Sequence, residues 1–226
     1  MLLPTSVIYY TLPRLQEMIA NKVIQHGEST LPKHFCGIDV SYKDSLAFGT
    51  AVIVEGSNFD VIEVVESITL VKFPYVPGSF VLREGKPIMY TIRLLKHKFD
   101  LLLLNGHGML HPRKCGLASF VGVLVNKPTI GIAKKLLCGY INRDNFIEID
   151  RTICGYVDKR FPKKPTYISV GNRISLKDSI SLVKKLTRHA ESIPEPLRLA
   201  DLYSKNNLKH FLNNPCSESN LNHLMP

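Results

Sequence analysis

Leu101-Leu102-Leu103-Leu104 is the most restrictive stretch of the chain. Four large apolar residues in a row leave no polar face, so a strand made of them must be buried on both sides. Such a strand sits inside a sheet with helices packed above and below it. The run stops at Asn105-Gly106-His107-Gly108, where Asn before Gly is a common turn former. A helical pattern over about 115–126 and a second apolar strand over 128–133 complete a strand–helix–strand unit.

Upstream, residues 35–42, 46–55 and 59–72 read as three strands, the last two split by Gly56-Ser57-Asn58. Their short links predict an antiparallel meander. A helix over about 12–25 is expected ahead of them, with Pro13 in its first turn and Leu15, Met18, Ile19 and Val23 on its apolar face. After them the Pro/Gly stretch from Phe73 to Gly78 breaks regular structure, and a helical pattern returns over about 87–98. Strand-like 167–170 ends at Gly171-Asn172, and Ser175-Leu176-Lys177-Asp178 opens a helix with capping chemistry. Its apolar face is Leu176, Ile180, Val183 and Leu186, and a last helix lies near 196–211. The expected fold is α/β, a mixed central sheet flanked by helices on both faces. The expected organisation is one domain over 1–214 and a short polar tail over 215–226.

Charge narrows the partners. Twenty-nine Lys and Arg against 19 Asp and Glu give +10, and residues 151–190 alone hold ten cations and two acids, +8. A compact basic lobe suits a polyanion, nucleic acid first among them; a solubility surface is the competing reading. No apolar stretch approaches the ~18–20 residues of a membrane span, and Met-Leu-Leu-Pro-Thr-Ser lacks a signal-peptide pattern. The five cysteines are widely spaced with no CxxC pair, which argues against structural zinc and a disulfide framework. A cytoplasmic, monomeric chain with no membrane contact is expected. His107 and His111 stand at i, i+4, but in a glycine-containing loop with no third zinc ligand apparent.

Chemistry is sought at the strand ends. Asp39, in Gly37-Ile38-Asp39-Val40, is an acid in an apolar setting, where burial costs free energy unless something compensates it. It is either a carboxylate bonded to a loop amide or a metal ligand. Glu84 follows the Pro-rich loop and is either a solvated acid paired with Arg83 or Lys86 or a second ligand. Asn105 ends the leucine strand and Lys134 ends the next one, where it can meet a phosphate. Two carboxylates at one strand-end face would form a hard oxygen site suited to Mg²⁺ or Mn²⁺.

Several long motifs, in one order from about 35 to 203, resemble the endonuclease V family. They are Gly37-Ile38-Asp39-Val40-Ser41, Phe73-Pro74-Tyr75-Val76-Pro77-Gly78 through Arg83-Glu84, and Gly106-His107-Gly108 with His111-Pro112-Arg113. Gly116-Leu117-Ala118-Ser119, Pro128 to Lys135 and Pro194 to Asp201 complete the set. The resemblance implies a ribonuclease-H-like fold and Mg²⁺-dependent cleavage, with Mn²⁺ as a substitute, of strands containing hypoxanthine, the base of inosine. The cut would fall one nucleotide beyond the lesion on its 3′ side, a DNA-repair activity; DNA and RNA both stay open as substrates. By motif, Asp39 and Glu84 would bind metal, and Lys134 would be the phosphate or active-site lysine. Tyr75, flanked by Pro74 and Pro77, would wedge beside the extruded base, whose pocket Gly78, Gly106 and Gly108 would border. His107, His111, Arg113 and Asn172 would join the nucleic-acid contacts. Two positions depart from the family: Asn105 replaces an Asp, and Asn172 replaces a common His. Asn offers one neutral oxygen and holds Mg²⁺ less well. Asn105 therefore makes this chain an inactivated variant, a relative with lost or reshaped activity, or a binder of inosine-containing strands that does not cut.

Overall fold

The computed structural model describes residues 5–27, 31–71, 73, 78–188 and 192–213. The chain opens with α1 (Thr5–Ala20), then β1 (His34–Lys43), β2 (Leu46–Glu55) and β3 (Val61–Leu70). It continues through α2 (Phe80–Leu94), β4 (Leu101–Asn105), α3 (Leu117–Val125) and β5 (Thr129–Ala133). It closes with β6 (Tyr140–Ile141), β7 (Phe146–Ile149), β8 (Thr152–Asp158), β9 (Thr166–Asn172), α4 (Leu176–Leu186) and α5 (Glu195–Asn213).

The nine strands form one mixed sheet in the order β3-β2-β1-β4-β5-β9-β8-β7-β6. β1, β2 and β3 are the expected antiparallel meander. β4 lies between β1 and β5 and is parallel to both, while β9 and β8 add antiparallel strands beyond β5. All four leucines of β4 have no exposed surface. Leu101 and Leu103 meet Phe35, Ile130, Val183, Leu186 and Leu197, under α4 and α5. Leu102 and Leu104 meet Leu12, Ile88 and Val121, under α1, α2 and α3. Each buried leucine is worth about 1.5–3 kcal/mol, so β4 anchors both layers.

α5 lies unusually close to β1. A Cβ on Gly37 would sit 2.2 Å from the Pro196 backbone, so only glycine lets this helix start rest on the strand. The contact holds α5 against the face of β1 that carries Asp39.

Three expectations are corrected. α1 begins at Thr5 and ends at Ala20, and Pro13 lies inside it rather than in its first turn. From Thr11 onward, where its side chains are described, its buried residues are Leu12, Gln16 and Ile19, whereas Leu15 and Met18 are exposed. A buried glutamine on that face defeats a reading based on hydrophobic spacing. α2 starts at Phe80, not near 87, so Pro87 lies inside it and Glu84 is a helical residue rather than a loop one. The strands β6, β7 and β8 had no sequence counterpart. Ile149 pairs with Thr152 across Asp150-Arg151, both of which have positive φ, 50° and 62°. That is a two-residue hairpin turn normally signalled by Asn-Gly or Asp-Gly, and arginine at its second position hides it. The serine cap is as expected: Ser175 accepts from the Asp178 amide at 3.0 Å. Among the described residues no helix is long and apolar enough to cross a membrane.

Candidate active site

The parallel strands β1, β4 and β5 share one C-terminal edge. Ile38 pairs with Leu104, so the next residues, Asp39 and Asn105, stand side by side. Asn105 in turn pairs with Ile132, and Lys134 follows the end of β5 at Ala133. Glu84 comes from the first turns of α2 on the other face of the sheet. Asp39, Glu84, Asn105 and Lys134 all line one cavity of about 480 Å³, together with Gln16, Gly78, Gly106, His107 and His111. A crevice at the carboxyl ends of strands is where sites form in open α/β sheets.

Both acids are buried, Asp39 to 7% exposure and Glu84 to 6%, and the side chains that hydrogen-bond to them are neutral. Asp39 accepts from Asn105 Nδ2 at 3.0 Å and from Ser204 Oγ at 3.1 Å. Glu84 accepts from the Tyr42 hydroxyl at 2.9 Å, and Arg83 lies over the Tyr42 ring, 4.1 Å from its centre. Burial raises the Asp39 carboxyl above its ordinary range, against the bond from Asn105, and the charge of Asp201 raises it further. Burial pushes Glu84 up to about 8, against the Tyr42 bond, with Asp39's charge adding to the rise. The charges of Lys134 on Asp39 and of Arg83 on Glu84 oppose these rises without cancelling them. Two such carboxylates, with the amide oxygen of Asn105 beside them, fit a hard divalent cation. Among the described residues, no group of three or more His, Cys, Asp or Glu could hold a metal. With Asn at 105, the third oxygen of the set is neutral.

Asp201 is a residue that sequence reasoning passes over. It belongs to the Pro194–Asp201 motif, but nothing in the sequence ties position 201 to position 39. On α5 it is close enough to Asp39 to raise its pKa, and its own carboxylate is held by Lys205 at 2.6 Å.

Gly78, with φ of +75°, is clamped through its carbonyl. Arg113 Nη2 donates to that oxygen at 2.8 Å, His111 Nε2 at 3.3 Å and Gln16 Nε2 at 3.4 Å. Gln16 also donates to the Cys115 carbonyl at 2.9 Å and accepts from Arg113 Nε at 2.7 Å. His111 Nδ1 accepts from the Arg113 amide at 3.2 Å, so its ring is neutral, and burial with the Arg113 charge pushes its pKa down to about 4. Gln16, only 1% exposed, is the second residue with no hydrophobic signal. Truncating it leaves Arg113 Nε and the Cys115 carbonyl without their partner. Gln16→Ala is expected to lower stability by roughly 1–3 kcal/mol in urea unfolding; a loss below about 0.5 kcal/mol would mean that water replaces the amide and no clamp exists.

His107 donates Nε2–H to the Lys135 carbonyl at 2.9 Å, so both histidines are engaged by backbone carbonyls and the HxxxH spacing does not make a zinc pair. Gly108 crosses β9 closely: a Cβ there would lie 2.0 Å from the Val170 carbonyl oxygen. The structure does not bring Asn172 to this cavity. It pairs with Thr129 at the start of β5, on the opposite edge of the sheet. Its Oδ1 accepts from the Ile24 amide at 3.1 Å and its Nδ2 donates to the Gly122 carbonyl at 3.0 Å. Asn172 ties α1's exit and α3 to β9. Pro74, Tyr75 and Pro77 lie outside the described residues. A larger cavity, about 680 Å³, lies at that opposite edge, but Asp100 there accepts from the Lys33 and His34 amides and the Asp178 carboxylate accepts from the hydroxyl of Ser175, the cap of α4.

The Endonuclease V family model matches residues 17–202. Endonuclease V of Thermofilum pendens is 38% identical over 210 residues, spanning 89% of this chain and 90% of its own. The fold is similar to that of Ciona intestinalis endonuclease V, solved in complex with a 24mer DNA containing an inosine followed by a ribo-adenosine. That comparison has a TM-score of 0.83 and 26% identity, and covers 92% of this chain and 100% of the other. Streptomyces avermitilis endonuclease V gives a TM-score of 0.78 at 29% identity, covering 88% and 92%.

Proposed function

From the premise that this chain belongs to the endonuclease V family, a family of nucleases with a ribonuclease-H-like fold, we propose that it cleaves inosine-containing DNA. The cut falls at the phosphodiester one nucleotide 3′ of the lesion and depends on Mg²⁺. The observation that carries the reading is the pair of buried carboxylates, Asp39 and Glu84, in one cavity with Asn105 and Lys134. The Ciona relative's complex with inosine-containing DNA supports the substrate class.

Asp39, Glu84 and the Asn105 amide oxygen would hold the cation, with Asp201 as a further acid within electrostatic reach. When bound, Mg²⁺ would add positive charge beside the two carboxylates and offset charge developing on the cleaved phosphodiester. Tyr42 orients Glu84 through its hydroxyl, and Ser204 and Asn105 orient Asp39. Lys134, exposed at the end of β5, holds a phosphate oxygen. Hypoxanthine pairs weakly, so drawing it from the stack costs less than drawing a normal base. Tyr75, between prolines, fills the gap it leaves.

A second reading, recognition without cutting, is favoured by one observation: Asn105 turns an N–H toward Asp39 where an acid would add charge. A 30-base-pair duplex with one inosine, incubated with Mg²⁺, Mn²⁺ or a chelator, separates the two. Cleavage at the second phosphodiester 3′ of inosine, present with metal and absent with chelator, is the expected result. Tight lesion-dependent binding with no product in either metal selects the binder. Equal treatment of inosine and plain duplexes overturns both.

A further inference from the structure

The basic lobe has a direction that its charge alone does not reveal. The turn between β8 and β9, residues 159–165, leaves the sheet after the pair Asp158–Thr166. The next residue of β9, Tyr167, pairs with Ala133, which directly precedes Lys134. The turn therefore projects from the same edge as the carboxylate cavity. With neighbouring strands ~4.8 Å apart, β9 and β8 lie roughly 10–15 Å sideways from Asn105. At about 3.4 Å per base step, that is roughly three to four steps along a duplex.

The cations of this turn divide into two kinds. Arg160 is committed to the fold: it pairs with buried Asp158 at 2.7 Å and donates to the Lys184 carbonyl at 3.4 Å. Those bonds tie the turn to the C-terminal end of α4. Lys184 lies 5.2 Å from the centre of the Tyr156 ring. Lys159, Lys163 and Lys164 are exposed on the turn, with Lys185 exposed in the last turn of α4. The chain carries no Asp or Glu from 159 to 177, and Asp158, the acid facing the turn, is already neutralised by Arg160.

We propose that Lys159, Lys163 and Lys164 form a phosphate track that grips the backbone of the DNA arm beside the cavity, without reading its sequence. The proposal rests on the nuclease reading above and adds where the flanking duplex lies: over β9 and β8, not over β2 and β3. Arg160 is the strut that presents the track and is left intact in the test.

Binding of a 30-base-pair duplex, with and without one inosine, is measured against salt for the parent and for Lys159→Ser/Lys163→Ser/Lys164→Ser. A control, Arg93→Ser/Lys96→Ser/Lys98→Ser, removes the same charge from exposed positions at and after the C-terminal end of α2. Each lost phosphate contact lowers the log–log slope by roughly 0.7–0.9. The track variant should therefore lose about 2–3 units of slope and weaken on both duplexes by the same factor, about tenfold or more. The control should keep the parent's slope. An unchanged slope in the track variant, or an equal fall in the control, overturns the track while leaving the lesion preference of the parent intact. Absence of lesion preference in the parent instead overturns the nuclease reading, so the two failures are told apart.

Discussion

Asn105→Asp is expected to raise Mg²⁺-dependent cleavage of an inosine-containing duplex by about 10²-fold or more, the equivalent of roughly 3 kcal/mol of barrier. Asn105 Nδ2 lies 3.0 Å from Asp39 Oδ1. A carboxylate there would face another carboxylate at hydrogen-bond distance, where burial already raises Asp39 despite the charge of Lys134. The same substitution is therefore expected to destabilise the metal-free protein and to raise the Asp39 pKa further. Adding Mg²⁺ should stabilise the variant more than the parent, because ligand bound only to the native state shifts the unfolding equilibrium by mass action. Thermal unfolding with and without Mg²⁺ reads the second effect and single-turnover cleavage the first. Equal cleavage rates at saturating Mg²⁺ would show that position 105 does not limit the reaction. An equal Mg²⁺ shift in both proteins would place the cation elsewhere.

Glu84→Gln is expected to move activity and stability in opposite directions. Glu84 is held by burial at a pKa of about 8, against an ordinary value of 4.5. Between those values the native protein keeps a proton that the unfolded chain has released, so stability falls as pH rises through the window. The whole effect is on the order of 5 kcal/mol above the upper value. Gln keeps an oxygen for Tyr42 and carries no charge. The variant should flatten the stability profile between pH 4.5 and about 8 and unfold later than the parent at higher pH. Cleavage should drop by about 10²-fold or more, since one of two carboxylates is gone from the metal set. Denaturant midpoints at several pH values, read beside cleavage, decide it. A variant less stable than the parent at pH 9 would mean that Glu84's charge is compensated in solution.

What the sequence disclosed follows from which signals are local. Four leucines with no polar face force a central strand, and its buried leucines on both faces agree. Asp39, Asn105 and Lys134 were legible as strand-end residues, because parallel strands carry their last residues to one edge. Glu84 was legible as a motif residue but not as a helical one, since Pro87 masks the two turns before it. Gln16 escaped because a polar residue is buried here by hydrogen bonds, which leave no mark on hydrophobic spacing. The place of Asn172 was not legible, because β-sheet register, which carries it to the far edge beside Thr129, leaves no local mark. Asp201 and Ser204 escaped because their relation to Asp39 exists only after α5 docks.

That last relation has a consequence for how the chain acquires its chemistry over time. Ser204 and Asp39 are 165 residues apart in sequence, so this contact closes one of the longest loops in the fold and adds to its contact order, which slows folding. During synthesis β1 is made early and α5 late, and until α5 settles on Gly37 the Asp39 carboxylate lacks its serine partner and stays open to water. On a nascent chain Asp39 and Glu84 are made within the same stretch, whereas Ser204 and Asp201, the α5 groups that act on Asp39, arrive last of the site's residues.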